Sequence, residues 1–287
     1  MPEGDTIFRT ARTLQRALGG QLVTRFESVF PALTRVHEDA PIIGRTIDRV
    51  DSVGKHLLIH FSGDLVLRTH MRMSGSWHIY RPGEAWQRPP IDMRIVIATD
   101  QFVAVAFNVP IAEFETEHTL HRHEAIGSIG PDLLSDTFDP DDALQRLRAH
   151  DAGDIAETLL NQRAMSGIGN IFKSETLFVA GINPFTPVPA LSDAELREII
   201  RIAQRLLKAN VSSSRAGGGI TTYNGLRSAR PGADNDDRVW VYSRSGQRCR
   251  KCGTRIAYRK HGPYARGTYW CPTCQPDRST TTSTSAL

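Results

Sequence analysis

The sequence predicts an α+β protein. An N-terminal helix plus β-sandwich domain is followed by a C-terminal helical domain that contains a helix, two turns, helix element and ends in a cysteine-bracketed hairpin. Three observations predict it. Apolar residues Ile7, Phe8, Ala11, Leu14, Ala17 and Leu18 form a helical stripe that stops at Gly19-Gly20. From residue 21 to about 116 the pattern changes to short β-rich runs, and from 140 to 210 it becomes helical. All four cysteines lie in the last 39 residues.

Length and composition allow this division. A chain of 287 residues can bury two cores. With 40% hydrophobic and 23% charged residues it is neither disordered, collagen-like nor a membrane chain. No run approaches the roughly 18 apolar residues of a spanning helix, and Met1-Pro-Glu-Gly-Asp lacks the basic start and apolar centre of a signal peptide. A cytoplasmic location without membrane association is expected.

In the first domain, strands are expected over 22–29, 46–53, 56–61, 65–69, 76–80, 93–99 and 102–107, separated by turns such as Ser62-Gly-Asp and Thr99-Asp-Gln. In the second, helices are expected over 140–150, 155–161, 171–180 and 192–210, the last opened by the capping-box pattern Ser192-Asp-Ala-Glu195. Gly127 to Pro131 marks the boundary, which places domains at 1–125, 126–237 and 238–275. Residues 212–219 and 227–237 read as irregular, the former as a mobile loop, and the Thr/Ser-rich 276–287 as a disordered tail.

The net charge of +4 is unevenly spread. Residues 238–274 hold nine Lys/Arg and no Asp/Glu, whereas 111–160 hold twelve acidic residues against three basic. A one-signed C-terminal segment suits a polyanion, nucleic acid being the commonest, and a merely solvated face is the alternative. Only five of the 35 basic residues are lysines.

The cysteines fall as Cys249-x-x-Cys252, eighteen residues, then Cys271-x-x-Cys274. In a reducing compartment this is the spacing of a tetrahedral four-thiolate zinc site rather than a disulfide framework. Four ligands close the shell, so one structural Zn2+ per chain is expected, holding a hairpin with its tip at 261–267.

Two stretches could carry chemistry. Trimming of Met1 would leave Pro2 with a free secondary amine, able to attack a sugar or carbonyl carbon, and Glu3 beside it is a plausible acid/base. A helix-opening proline with an acidic neighbour is the plainer alternative. The run from Leu159 to Glu175 ends one helix, turns through Ser166-Gly-Ile-Gly169 and opens another with Asn170 as N-cap, a phosphate site at a helix start or an ordinary helical hairpin.

The ordered set of Pro2-Glu3-Gly4, Gly54-Lys55, His70-Met-Arg-Met-Ser-Gly75, Ile129-Gly-Pro-Asp-Leu133, Gly167-Ile-Gly-Asn170, Trp240-Val-Tyr-Ser-Arg244 and the zinc finger resembles the formamidopyrimidine-DNA glycosylase and endonuclease VIII family of DNA-repair enzymes. The resemblance covers nearly the whole chain through Gln275. It implies a bifunctional DNA glycosylase and AP lyase acting on damaged DNA as a monomer associated with the nucleoid. Pro2 would attack C1′ of a flipped nucleotide, Glu3 would help open the sugar, and Lys55 would contact phosphate and support the chemistry. Asn170 and Arg266 would grip phosphates, and Cys249, Cys252, Cys271 and Cys274 would hold the zinc. Met73 falls where the family fills the hole left by the flipped base, with a core methionine as the rival reading. The glycine-rich 216–223 resembles the family's base-capping loop. Asp5-Thr6 replaces a common Pro-Glu, leaving a second N-terminal carboxylate unassigned, and 107–114 offers no match to the purine branch's arginine and phenylalanine wedge. Together with Pro2-Glu3-Gly4 this favours the endonuclease VIII side and oxidised pyrimidines. The alternatives are an oxidised-purine glycosylase of the same family or a non-catalytic damaged-DNA-binding protein.

Overall fold

A computed structural model describes residues 2–120, 122–150, 153–212, 220–223 and 238–277. The expectations for Met1, for 213–219, for 227–237 and for the tail beyond 277 lie outside these residues. The chain divides into two compact units, Met1–Ile129 and Gly130–Leu287.

The first unit opens with α1 (Gly4–Leu18), whose stripe Ile7, Ala11, Leu14 and Leu18 is buried. The remaining elements are β1 (Arg25–Ser28), α2 (Pro31–Asp39), β2 (Ile47–Val53), β3 (His56–Phe61), β4 (Leu65–His70), β5 (Ser76–Tyr80), β6 (Met93–Ala98), β7 (Val103–Phe107) and β8 (Ile111–Glu115). They form two four-stranded antiparallel sheets, ordered β1-β6-β7-β5 and β2-β3-β4-β8. Alternate residues point to opposite faces of a strand. Leu57, Ile59 and Phe61 of β3 therefore join α1 in the central core, while Leu58 of β3 and Val66 of β4 face the other way and are covered by Leu120 and Ile126. Those two come from the short helices α3 (Glu117–Leu120) and α4 (Glu124–Gly127). With both faces buried, β3 carries the unbroken apolar run Leu57-Leu-Ile59 rather than an alternation.

Four elements go beyond the sequence reading: the short helices α3 and α4, and α2 and β8. α2 starts with Pro31 and buries only Leu33, too little periodic signal for a helix. β8 pairs with β4 although two of the five residues in its Ile-Ala-Glu-Phe-Glu are glutamates. The first expected strand contracts from 22–29 to Arg25–Ser28, because Leu22 makes only an isolated bridge to Thr46.

The second unit contains α5 (Pro140–Ala149), α6 (Ile155–Leu160), α7 (Asn170–Ala180), α8 (Asp193–Ser212) and the hairpin β9 (Ala257–His261) and β10 (Arg266–Trp270). Side chains cap the helices as their sequences suggest. Asp139 accepts from the Asp141 and Asp142 N–H groups, and Asp154 from that of Glu157. Ser192 and Glu195 close a reciprocal capping box. Among the described residues no helix is long and apolar enough to cross a membrane.

Candidate functional site

In the first unit the candidate residues sit at the start of α1 and on two turns. Glu3, fully buried, is the N-cap residue of α1, and its carbonyl accepts from the N–H groups of Thr6 and Ile7 at 3.0 and 3.1 Å. Pro2 therefore precedes the cap rather than occupying the first turn, while Glu3 and Asp5 place acidic groups at the helix start as the plainer alternative expects. Asp5 is also fully buried. Its carboxylate pairs with Arg9 at 3.1 Å, and burial pushes its pKa above the usual carboxylate value despite that guanidinium.

Lys55 lies on the turn between β2 and β3, made possible by Gly54 at φ +59°. Beneath it, His56 and His70 face each other across β3 and β4 with ring centroids 4.8 Å apart. Burial, helped by His70 and Arg68, holds the His56 pKa down to about 3. Burial, then the charges of Arg72, Lys55 and Arg68, lowers His70 to about 4. Both rings are neutral near pH 7.

The turn between β4 and β5 explains His70-Met-Arg-Met-Ser-Gly75. The His70 ring accepts the Arg72 N–H at 3.0 Å, and the Gly75 N–H closes onto the Met71 carbonyl at 2.9 Å. A Cβ on Gly75 would lie 2.6 Å from that oxygen. The turn buries Met71, at 1% exposure, and leaves Met73 70% exposed. The core methionine is thus Met71, which removes the packing alternative for Met73.

In the second unit the connection between α6 and α7 is built around Gln162. Its side-chain N–H groups donate to the Leu160 and Ile168 carbonyls, both at 3.0 Å, and its oxygen accepts from Gly167 N–H at 3.1 Å. Gly167 has φ +100°, and a Cβ on Gly130 would lie 2.5 Å from the Arg163 carbonyl. Ile129-Gly-Pro-Asp-Leu133 therefore includes the strap that packs directly on this connection.

Asn170 is not the N-cap. Gly169 occupies that position in extended conformation and Asn170 is the first helical residue, because its side chain is engaged elsewhere. Its Nδ2 donates to the Gly267 carbonyl of β10 at 2.9 Å. The start of α7 and the strand beginning with Arg266 are thereby brought together. The Asn170 Oδ1 is buried without a hydrogen-bond partner. Arg266 is exposed, its guanidinium 5.3 Å from the centre of the Tyr264 ring.

The sequence reading missed three tethers in this unit. Lys173, 1% exposed, donates from Nζ to Thr268 Oγ1 at 2.8 Å. Glu175, fully buried, accepts the backbone N–H groups of Trp240, Val241 and Tyr242 at 2.8, 2.9 and 2.8 Å and also takes the Thr222 hydroxyl. The anchored segment is the Trp240-Val-Tyr-Ser-Arg244 motif, whose Arg244 turns back onto the Trp240 and Arg248 carbonyls. Gln275 accepts from the Cys271 N–H at 3.0 Å and donates to the Ile182 carbonyl at 2.8 Å, sealing the hairpin to the end of α7. Scarcity of lysine could have flagged Lys173. No pattern in the sequence pairs Glu175 with residues 65 positions away.

The four cysteine sulfurs lie within 4.8 Å of one another, with Cys249 to Cys274 at 3.9 Å and Cys252 to Cys271 at 3.4 Å. Zinc–sulfur bonds of about 2.3 Å in a tetrahedron place sulfurs roughly 3.8 Å apart, so the donor set fits Zn2+. Bonds from Thr254 draw the Cys252 thiol down to about 6, while burial and neighbouring thiols push Cys274 up. Thiols this crowded resist ionising together without a cation among them.

The family model described as the formamidopyrimidine-DNA glycosylase N-terminal domain matches residues 1–110, and that of the formamidopyrimidine-DNA glycosylase H2TH domain matches 129–223. The chain is 37% identical to a probable endonuclease 8 2 of Streptomyces coelicolor, over 96% of this chain and 94% of that one. It is 36% identical to the DNA-(apurinic or apyrimidinic site) lyase Nei2 of Mycolicibacterium smegmatis, over 96% and 99% of the two chains. Among solved structures it resembles the Lactococcus lactis formamidopyrimidine-DNA glycosylase bound to DNA containing an abasic site, with a TM-score of 0.79, 20% identity, and coverage of 96% and 100%.

Proposed function

The chain belongs to the formamidopyrimidine-DNA glycosylase and endonuclease 8 family of DNA glycosylases and AP lyases, and from that premise we propose that it excises oxidised pyrimidines from DNA through a Schiff base on Pro2. With Met1 removed, the Pro2 nitrogen bonds to C1′ as the C1′–base bond breaks, and the base leaves with that electron pair and takes up a proton. Glu3 acts as acid/base while the sugar ring opens and the iminium forms. Loss of the C2′ proton then expels the 3′ phosphate by β-elimination, and a δ-elimination expels the 5′ phosphate. The N-cap position of Glu3 supports this assignment, since it holds a carboxyl group beside a proline that lies outside the helix.

Lys55 contacts phosphate, and the neutral His56–His70 pair leaves the positive charge around His70 to Lys55, Arg72 and Arg68. Met73, exposed on its turn, fills the space of the everted nucleotide. The single observation that carries the DNA-binding half is the bond from Asn170 to Gly267, which joins a helix start to the strand of Arg266. The four cysteines hold a structural Zn2+ that keeps this strand in place; when bound, the ion supplies cross-linking and no chemistry.

Borohydride trapping on duplexes carrying thymine glycol, 8-oxoguanine or an abasic site tests the proposal. A covalent adduct is expected with Met1-trimmed protein on thymine glycol and abasic DNA, reduced at least about 1,000-fold in Pro2→Gly. An undiminished adduct in that variant would remove Pro2 as nucleophile. Preference for 8-oxoguanine would place the chain with the purine-excising members, and tight lesion binding without cleavage would make it a sensor.

A further inference from the structure

Away from the cysteines, Asp154, Glu157 and His261 converge in the second unit. Asp154 caps α6, Glu157 lies one turn further on the same face, and His261 ends β9. Capping uses Asp154 Oδ1, which accepts the Glu157 N–H at 3.0 Å. The other oxygen, Oδ2, lies 2.5 Å from His261 Nε2, and Glu157 Oε1 lies 3.9 Å from the same nitrogen. One ligand atom from each residue falls within 4.8 Å of the others.

Two features separate this cluster from a surface ion pair. Glu157 Oε1 is shut off from solvent and completes no hydrogen bond, while His261 Nε2, equally shut off, has Asp154 Oδ2 as its near partner. A buried carboxylate oxygen left this way is costly unless a positive centre satisfies it. The backbone is also shaped around that oxygen. Gly262 sits at φ +72°, and a Cβ there would come within 2.0 Å of Glu157 Oε1, so a larger residue would displace the carboxylate. A cavity of about 330 Å3 beside the cluster is lined by Glu157, His261 and Gly262 together with Lys173 and Arg266.

We propose that Asp154, Glu157 and His261 form a second divalent-cation site, of the zinc class, that staples the tip of the finger hairpin to the start of α6. One imidazole and two carboxylates suit a borderline cation with water completing the shell. Bonds of about 2.1 Å at tetrahedral angles separate ligand atoms by roughly 3.4 Å, so Asp154 and His261 part by about 1 Å and the ion replaces a proton between them. The ring proton then resides on Nδ1, and the 3.5 Å contact of that atom with the Arg259 guanidinium gives way. Two carboxylates face this guanidinium, and Lys173 and Arg266 line the neighbouring cavity. Phe185 meets the imidazole edge-on at 5.1 Å and keeps the ring plane aimed at the site.

The test is zinc content of the full chain after equilibration with buffered free Zn2+. Two equivalents per chain are expected in the wild type. In His261→Gln and Glu157→Gln the weaker equivalent binds at least tenfold less tightly while the thiolate-bound equivalent stays. Retention of the first zinc in the variants also shows that the finger is folded. In the wild type alone, the second equivalent should move the 15N resonances of the His261 imidazole. One equivalent only, a second one indifferent to both substitutions, or an unmoved His261 resonance would overturn the proposal.

Discussion

The sandwich and the finger solve the same problem by opposite means. The sandwich draws on a central core of 22 buried residues from α1 and both sheets, so no one contact decides whether it forms. The finger is built on a cluster of five, Phe178, Val241, Cys249, Ile256 and Cys271, of which two are proposed metal ligands. Its order comes instead from polar tethers to α7, namely Asn170, Lys173, Glu175 and the Gln275 contact with Ile182. Area stabilises the first region and specific bonds stabilise the second. The proposed nucleophile therefore rests on a redundant scaffold, whereas the proposed phosphate grip rests on one that few changes can dismantle.

The largest expected effect breaks this contrast at the metal. Structural zinc contributes about 10–16 kcal/mol in small thiolate sites. Cys271→Ala, or chelation, should unfold the hairpin and weaken DNA binding by on the order of 100-fold, because the charges that neutralise phosphate disperse. Circular dichroism should show the sheet signal of the sandwich surviving. Loss of both would mean that the regions are less independent than their cores suggest.

Next in size, Leu14→Ala should cost about 2–5 kcal/mol in the sandwich, read by urea denaturation, with zinc retention unchanged. Glu175→Gln should cost about 2–3 kcal/mol in the finger through loss of charge-assisted bonds. Hydrogen exchange at Trp240, Val241 and Tyr242 should quicken there while the sandwich amides keep their protection. Equal effects of both substitutions on both regions would erase the distinction.

The sequence displayed these two regions unequally. Ile7, Leu14 and Leu18 announce α1 because burial on one helix face leaves a 3.6-residue period, and the cysteine spacing announces the finger because a tetrahedral ion fixes its ligands on short knuckles. Asn170 was readable as part of a phosphate-site motif but not as a first-turn residue, since its bond to Gly267 spans 97 positions. Glu175 escaped for the same reason. Met73 could not be told from Met71, because these residues two positions apart differ in exposure only once Gly75 has closed the turn.

Per pH unit, the smallest effect lies in the sandwich and concerns protons. His56 and His70 hold pKa values of about 3 and about 4, against 6.5 for the free side chain. Between pH 6.5 and about 4 the unfolded chain binds protons at these positions that the folded chain refuses, so the pair's contribution to stability falls as pH falls through this window. For a fully excluded histidine the limiting slope is about 1.4 kcal/mol per pH unit, and His70, less deeply buried, should contribute less. Asp5 works in the opposite sense, since burial raises its pKa and acid relieves it. The readable quantity is therefore the difference between wild type and His56→Gln in urea midpoint across this window. The variant should show the shallower decline, while zinc retention follows the same acid dependence in both proteins. Parallel midpoint curves would show that His56 accepts a proton in the folded sandwich.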